Sequence, residues 1–154
     1  VKSTNILELG SSPGGWSQVV CEINKKAKID AFDLLDMRYT NKNITFFKKD
    51  FIKFDFNSLN KKYDLILSDI APNTIGHQAT DHLRIISLIE DIILILNIIA
   101  RINSTFIFKI WKGSGEKNII HTLKKKFKSI SYFKPRSSRS ESSEIFIVAC
   151  RFIG

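Results

Sequence analysis

The sequence predicts an α/β protein with a mainly parallel sheet. Short apolar runs alternate along the 154 residues with longer segments in which apolar residues recur three and four positions apart. The short runs are typical of buried strands, and the longer segments are typical of helices that pack one face on a sheet. Strand and helix in alternation favour parallel strands joined by helical crossovers, with helices on both faces of the sheet.

Seven short runs are predicted strands, enough for one sheet. They are NILEL (5–9), KIDAFDLL (28–35), ITFF (44–47), YDLILSD (63–69), TFIFKIW (105–111), ISYF (130–133) and EIFIVACRF (144–152). Three predicted helices cover residues 16–26, 81–101 and 115–127. The chain has no internal repeat, low-complexity tract or long linker, so we expect residues 1–154 to form one domain.

The chain carries a strong positive charge. It has 24 Lys and Arg residues against 15 Asp and Glu residues, which gives a net charge of +9 and a pI near 9.6. Its fractions of apolar and charged residues are those of a globular protein, which excludes disordered and collagen-like classes. The charge favours an anionic partner such as nucleic acid, although a general bias towards lysine would produce the same balance.

Neither a membrane anchor nor a metal site is indicated. The most apolar stretch, IILILNIIA at 92–100, spans nine residues, whereas a membrane crossing needs about 20. Cys21 and Cys150 stand alone, without a C-x-x-C pair or a nearby histidine, so no metal centre is predicted. Isolated cysteines favour a reduced, cytoplasmic compartment.

A glycine-rich turn, in the stretch ILELGSSPGGWSQ, joins the first predicted strand to the first predicted helix. Gly10 ends the strand, and Gly14 and Gly15 precede the helix. Because glycine has no Cβ, these positions permit a tight turn and let a ligand lie against the backbone and the helix N-terminus. In parallel α/β sheets, ligands bind at this end of the strands.

The residues of the turn discriminate among three ligand classes. A Walker phosphate loop requires Gly-Lys-Ser/Thr, but Trp16 follows Gly15. A dinucleotide fingerprint requires G-x-G-x-x-G, and here the spacing is G-x-x-x-G-G with Pro13 inside. The class that remains is the related turn of methyltransferases that bind S-adenosylmethionine (SAM). SAM consists of a nucleoside and an amino acid and has no pyrophosphate.

Two acidic residues at the ends of the next strands fit a nucleoside. Asp33 lies 19 residues after Gly14, the spacing at which a carboxylate accepts hydrogen bonds from ribose hydroxyls. Asp50 follows the third predicted strand and could accept a hydrogen bond from an adenine amino group. The alternative is that these acids are solvated or cap the next helix.

A second group of charged residues is expected near the turn. Lys109 lies inside an apolar run, where a central strand normally buries valine or isoleucine, and an isolated buried ammonium group is costly. Asp69 ends the fourth predicted strand and is followed closely by Pro72, which stiffens the loop. In the seven-strand arrangement of methyltransferases the last strand lies antiparallel beside the fifth, so Glu144 is expected to meet Lys109 and Asp69. The alternative for Lys109 is that its side chain extends past the apolar surface and places the amine in water. The alternative for Glu144 is that it is a solvated charge on an edge strand.

Such a group could activate a ribose hydroxyl for methylation. A hydroxyl is a poor nucleophile at neutral pH, so it must be oriented in line with the methyl group and must lose its proton. A buried lysine is a credible base, and carboxylates beside it fix the position of the amine. Positioning alone is a large part of catalysis, because it makes two reactants effectively unimolecular.

In five blocks the sequence resembles the FtsJ/RrmJ (RlmE) family of ribosomal RNA 2′-O-ribose methyltransferases, in the same order and over nearly the whole chain. The blocks are ILELGSSPGGWSQ, FDLLDM, LSDIAPNTIGHQATDH, FIFKIWKGSG and KPRSSRSESSEIFIVA. The resemblance implies a Rossmann-like SAM-dependent methyltransferase fold, with a seven-stranded, mostly parallel sheet and an antiparallel last strand. It also implies SAM as methyl donor, S-adenosyl-L-homocysteine as product, and a uridine ribose of 23S large-subunit rRNA as target.

The resemblance assigns roles to individual residues. It implies a Lys-Asp-Lys-Glu tetrad, of which Asp69, Lys109 as proton acceptor and Glu144 are present here. The residues implied for cofactor binding are Gly14, Trp16, Asp33, Asp50 and Asp69. The first lysine of the tetrad lies in a basic segment ahead of the first strand. Because this chain starts at Val1 and Lys2 is too close to the strand, we expect that this segment has been removed; the alternative is that the protein lacks it.

A basic segment near the end of the chain is a candidate RNA-binding surface. Residues 124–139 contain seven Lys or Arg residues and no acid. Lys134, Arg136 and Arg139 lie in the loop that leads to Glu144, where RNA phosphates could dock. A solvated helix face is the alternative for the lysines at 124–128.

The expected partner is ribosomal RNA or the large ribosomal subunit, and no membrane association is expected. The expected oligomeric state is a monomer. Three other functions stay open at this point. A non-catalytic RNA-binding or ribosome-assembly factor would retain the fold without transferring a methyl group. A small-molecule methyltransferase is disfavoured by the basic loop, and a nicotinamide-dependent dehydrogenase is disfavoured by the spacing of the glycines.

Overall fold

The computed structural model describes residues 4–70, 77–113, 115–135 and 143–154. In these ranges the chain forms a seven-stranded sheet with three α-helices and two short 3-10 turns. The strands are β1 (Asn5–Leu9), β2 (Lys28–Asp33), β3 (Ile44–Lys48), β4 (Tyr63–Ser68), β5 (Ala100–Trp111), β6 (Phe127–Phe133) and β7 (Glu144–Phe152). The helices are α1 (Gly15–Ile23), α2 (Gln78–Ile99) and α3 (Glu116–Lys126), and the 3-10 turns are Phe51–Lys53 and Phe56–Leu59.

The strand order is β3-β2-β1-β4-β5-β7-β6. Strands β1 to β5 pair in parallel, whereas β7 is antiparallel to both of its neighbours, β5 and β6. The predicted fold class, a mostly parallel seven-stranded α/β sheet with an antiparallel last strand, is therefore confirmed. The order reverses between β1 and β4, which is where ligands bind in such sheets.

Helices cover the two faces of the sheet unequally. Alternate side chains of β5, such as Phe108 and Ile110, are buried in one core together with the apolar faces of α2 and α3. The intervening residues face α1, and Ile107 is only half-buried beside the smaller core that contains Cys21. This alternation follows from the two-residue period of a strand. It puts Lys109 on the face that α1 covers.

The observed strand β5 begins five residues earlier than the run from Thr105 predicts. Ala100 is both the residue that ends α2 and the first residue of β5, so helix and strand join without a loop. Residues 101–103 are exposed, and Asn103 has a positive φ of 66°. The pairing with β4 is irregular there. A bulged, polar start to a strand lacks the alternation by which strands are recognised in a sequence.

The described helices show no candidate for a membrane crossing; even the 22-residue α2 lacks the required apolar length.

A buried polar group ties β2 to β4. Asp30, which is 6% exposed, accepts hydrogen bonds from the Tyr63 hydroxyl at 2.6 Å and from the Lys61 amine at 2.7 Å. Burial, followed by the contact with Asp30, raises the pKa of the Tyr63 phenol. The phenol therefore remains a hydrogen-bond donor, and Asp30 keeps two partners inside the protein.

Replacing Tyr63 with phenylalanine should destabilise the fold. The change removes one donor to a buried carboxylate, which costs about 1–3 kcal/mol. The free energy of unfolding in urea measures the loss. Tyr132→Phe is the control: its hydroxyl also donates to a carboxylate, that of Glu116, but Tyr132 is 55% exposed on an outer strand, where water can replace the lost partner. Stability should therefore change by less than about 0.5 kcal/mol. Equal losses in the two variants would contradict the assigned role of Tyr63.

Candidate active site

The turn between β1 and α1 depends on two glycines with positive φ. Gly10 has a φ of +76°, and a Cβ on it would lie 2.9 Å from the Ile70 Cα atom. Gly14 has a φ of +115°, and its Cβ would lie 2.5 Å from the Tyr39 Cβ atom. Side chains are excluded at both positions by conformation and by space. Gly15 differs, since a Cβ there would meet no described atom within 4 Å.

Strand β2 and the loop after it hold this turn in place. The backbone N–H groups of Gly10 and Ser11 both donate to the Phe32 carbonyl, at 2.9 and 3.2 Å. The Ser12 N–H donates to Asp33 Oδ2 at 2.8 Å, and the Leu35 N–H donates to Asp33 Oδ1 at 2.8 Å. Asp33 therefore braces the turn with both of its oxygens. Its predicted contact with a ribose would use the lone pairs that remain.

The structure gives Asp50 a local structural role. Its Oδ1 atom accepts a hydrogen bond from the Ile52 N–H at 3.0 Å and caps the first 3-10 turn, and Oδ2 lies 3.9 Å from the Lys53 amine. This is the capping alternative that the sequence leaves open. Contact of Asp50 with an adenine amino group stays a prediction.

Trp16 lies in the first turn of α1 and reaches across to the last strand. Its ring centroid is 5.6 Å from that of Phe146 on β7, and both side chains are half-buried. The turn that carries Gly14 is thus in contact with the part of the sheet that carries Lys109. Trp16 is an apolar wall beside the turn.

Lys109, Asp69 and Glu144 come together at one end of the sheet. The Lys109 amine lies 2.6 Å from Asp69 Oδ1 and 3.7 Å from Glu144 Oε1. The arrangement follows from the register, in which Trp111 of β5 lies opposite Glu144, the first residue of β7. Asp69 follows β4, the other neighbour of β5. The lysine side chain is 19% exposed, so the amine is largely shielded and paired with carboxylates.

Glu8 is a site residue that the sequence does not single out. It lies in β1, is 1% exposed, and accepts hydrogen bonds from the Ser17 hydroxyl and backbone N–H at the start of α1. Burial, which outweighs the hydrogen bonds from Ser17, raises the pKa of Glu8 to about 7, and the charges of Asp69 and Asp33 add to the effect. The signal was present, since a glutamate in a buried strand is as unusual as Lys109.

Two buried hydroxyl groups near the turn fit a polar ligand. Ser11 follows Gly10 and Ser68 precedes Asp69, and both are almost fully buried. Neither Oγ atom has a hydrogen-bond partner among the described residues. Buried polar atoms normally have partners, so this end of the sheet suits a ligand with polar groups. No group of three His, Cys, Asp or Glu side chains that could hold a metal ion is found among the described residues.

Some predicted residues lie outside the described ranges. They are Lys2, Pro72, Arg136 and Arg139.

The sheet order, the glycine turn at the reversal point and the charged group beside it define a methyltransferase-type α/β domain. The chain belongs to the FtsJ-like methyltransferase family, whose model matches residues 1–152. It is 38% identical over 160 residues to the ribosomal RNA large subunit methyltransferase E of Rickettsia peacockii (strain Rustic), covering 97% of this chain and 70% of that protein.

Two further matches carry ribosomal RNA methyltransferase descriptions. The protein of the same description from Wolbachia pipientis wMel is 41% identical over 154 residues, with 97% of this chain and 78% of that protein covered. A crystal structure described as a ribosomal RNA methyltransferase of Plasmodium falciparum superposes with a TM-score of 0.84 at 31% identity, and covers 100% of this chain and 89% of that one. The resemblance to the family is therefore confirmed, and the chain is a methyltransferase.

Alanine substitution should destabilise the protein at Gly14 but not at Gly15. Gly14→Ala forces a Cβ against Tyr39 at a positive φ and should cost at least about 1–3 kcal/mol. Gly15→Ala enters open space at the first position of α1 and should leave stability unchanged or raise it by about 0.5–1 kcal/mol. Urea denaturation of the two variants measures this difference. A Gly14→Ala protein as stable as Gly15→Ala would contradict the account of the turn.

Glu8 should make stability depend on pH near neutrality. The folded protein keeps the Glu8 proton up to about pH 7, whereas the carboxyl releases it near its ordinary value of 4.5 in the unfolded chain. The folded state thus binds more protons in this window, and stability falls as the pH rises through it. Glu8→Gln removes the loss, so wild type should weaken relative to the variant by about 3 kcal/mol between pH 4.5 and 8.

Urea denaturation at several pH values gives the free energy of unfolding of each protein. Subtracting one from the other cancels the contributions of all other titrating groups, because both proteins share them. Parallel curves for wild type and Glu8→Gln would show that Glu8 ionises normally in the folded protein.

Proposed function

We propose that this protein transfers a methyl group from SAM to a ribose 2′-hydroxyl of ribosomal RNA, on a uridine of the 23S large-subunit rRNA. The observation that carries the proposal is the contact of Lys109 with Asp69 and Glu144 beside the glycine turn. Family membership and the relatives named ribosomal RNA large subunit methyltransferase E support the substrate class. The paired charges argue against a non-catalytic assembly factor.

The residues at the turn suit SAM. Gly14 admits a ligand close to the backbone, Trp16 gives an apolar wall, and Asp33 and Asp50 keep lone pairs for the nucleoside. Asp69 lies between this turn and Lys109, where its N–H donates to the Leu9 carbonyl at 3.1 Å. When bound there, SAM supplies an electrophilic methyl group on a sulfonium, and S-adenosyl-L-homocysteine is left after transfer.

In the proposed reaction Lys109 orients the 2′-hydroxyl and accepts its proton while the new O–CH₃ bond forms and the S–CH₃ bond breaks. The contacts with Asp69 and Glu144 hold the amine at a fixed point, so positioning is the contribution that the distances support most directly. Proton acceptance requires the base form of the amine at the moment of transfer.

The charge distribution fits a ribosomal RNA partner. The last turn of α3 carries three consecutive lysines, 124–126, followed by Lys128 at the start of β6. They lie at the end of the strands away from Lys109, where the Lys126 amine donates to Asn97 near the end of α2. These lysines would therefore contact phosphates distant from the reacting ribose, and the net charge of +9 favours such contacts. Monomeric and cytoplasmic action remain predictions from the sequence.

Replacing Lys109 with alanine should abolish methyl transfer. Loss of the positioned amine should lower kcat by at least about 10²-fold, because a positioned acid or base contributes about 10²–10⁴-fold. Transfer of tritiated methyl groups from SAM to ribosomal particles by the full-length protein measures kcat. Calorimetry should show SAM affinity within about threefold of wild type, since the turn is unchanged.

Lys25→Ala is the matched control for Lys109→Ala. Lys25 is exposed in the turn before β2, at the opposite end of the strands from Lys109, and its loss should leave transfer unchanged. Normal turnover by Lys109→Ala would overturn the role of the lysine. Ribosomal RNA binding without any methyl transfer by the wild-type protein would overturn the proposed activity.

A further inference from the structure

An exposed aromatic side chain lies in line with Lys109 on the sheet. Lys109 of β5 pairs opposite Phe146 of β7, and Phe146 pairs opposite Phe133 of β6. Residues directly opposite one another in antiparallel strands have their side chains on the same face. Lys109, Phe146 and Phe133 therefore form one row across three strands, on the face that α1 covers.

The row leads from the shielded amine to an exposed ring. Trp16 packs on Phe146 at a centroid distance of 5.6 Å, so the inner part of the row is covered. Phe133, at the end of β6, is 57% exposed. Neighbouring strands are about 4.8 Å apart, which puts the backbone of Phe133 about 10 Å from that of Lys109. This is within reach of a nucleotide close to a ribose at Lys109.

The adjacent residue provides an internal comparison. Tyr132 is equally exposed, at 55%, but the alternation of the strand places it on the opposite face, where its hydroxyl donates to Glu116 of α3. Single exposed hydrophobic residues are common in proteins and need no explanation by themselves. Phe133 is distinguished from Tyr132 by its register with Lys109, rather than by its exposure.

The surroundings of Phe133 are basic. Lys134 follows it directly and Lys112 follows β5, and both are exposed. Aromatic rings beside cationic side chains are the usual composition of sites for single-stranded nucleic acid, where bases stack on the rings and phosphates lie near the cations. The lysines beside the ring favour an anionic partner over a purely apolar one.

We propose that Phe133 is a stacking platform for an unpaired nucleobase that neighbours the methylated ribose in the RNA. This inference rests on the proposed function, because it takes the RNA to be the substrate of the Lys109 site. It adds a contact outside the reacting centre that would hold the RNA strand along the row. The ring would contribute to RNA affinity and not to the methyl-transfer step or to SAM binding.

Kinetics of Phe133→Ala test the platform. Loss of one base–aromatic stack should raise the KM for ribosomal RNA by about 5- to 150-fold, with kcat and SAM affinity unchanged. Phe133→Trp should restore the KM, because any aromatic face can stack. Tyr132→Ala, the matched control on the other face, should leave the KM within about twofold of wild type. Equal effects of Phe133→Ala and Tyr132→Ala on KM would overturn the proposal.

A binding measurement separates this proposal from the proposed activity. Fluorescence of Phe133→Trp, after subtraction of the wild-type signal, should be quenched by single-stranded oligouridylate and not by an abasic strand with the same phosphates. Tyr132→Trp should not be quenched. If RNA does not quench the Phe133→Trp fluorescence although the variant methylates RNA normally, the stacking proposal is overturned and the proposed activity stands. Emission typical of a buried indole before RNA is added would show instead that a protein segment covers the ring. Absence of methyl transfer, with quenching intact, would overturn the proposed activity while the stacking contact stands.

Discussion

The parallel pairing of β1 with both β2 and β4 brings together the glycine turn, Asp33 and Asp69 at one edge of the sheet. The last residues of β1 are bonded on both sides: the Asp69 N–H donates to the Leu9 carbonyl, and the Gly10 N–H donates to the Phe32 carbonyl. Because the strands are parallel, their carboxyl ends meet at one edge. This backbone pairing alone places the glycine turn, Asp33 and Asp69 next to one another. No contact between their side chains is needed.

The electrostatic balance at this edge depends on one lysine and one protonated acid. Asp33, Asp69 and Glu144 bring carboxylates to a small region, and Lys109 compensates two of them directly. Glu8, below them in β1, avoids further repulsion by retaining its proton up to about pH 7. A site with this surplus of negative charge favours a cationic ligand such as a sulfonium, and it would disfavour the pyrophosphate of a dinucleotide.

The elements of the fold and the central part of the site could be predicted because their signals are local. Apolar runs marked the strands, and Lys109 was conspicuous as a charge inside one of them. The roles of Asp33 and Asp50 as a turn brace and a 3-10 cap were less accessible, because they depend on which backbone N–H groups face each carboxylate. The row from Lys109 to Phe133 was not predictable, since it depends on the register of two antiparallel pairs, β5 with β7 and β7 with β6, which the sequence pattern alone does not fix.

The position of β7 in the sheet also determines when the site can exist. This strand follows all the other described elements along the chain, yet it lies between β5 and β6, which are made earlier. Until it is inserted, Lys109 has no Glu144 beside it, Trp16 has no Phe146 to pack on, and β6 has no neighbour to hold Phe133 in line. During synthesis these three contacts could thus form only after β7 has emerged, so a chain that lacks β7 would not hold Lys109, Glu144 and Phe133 in their observed arrangement.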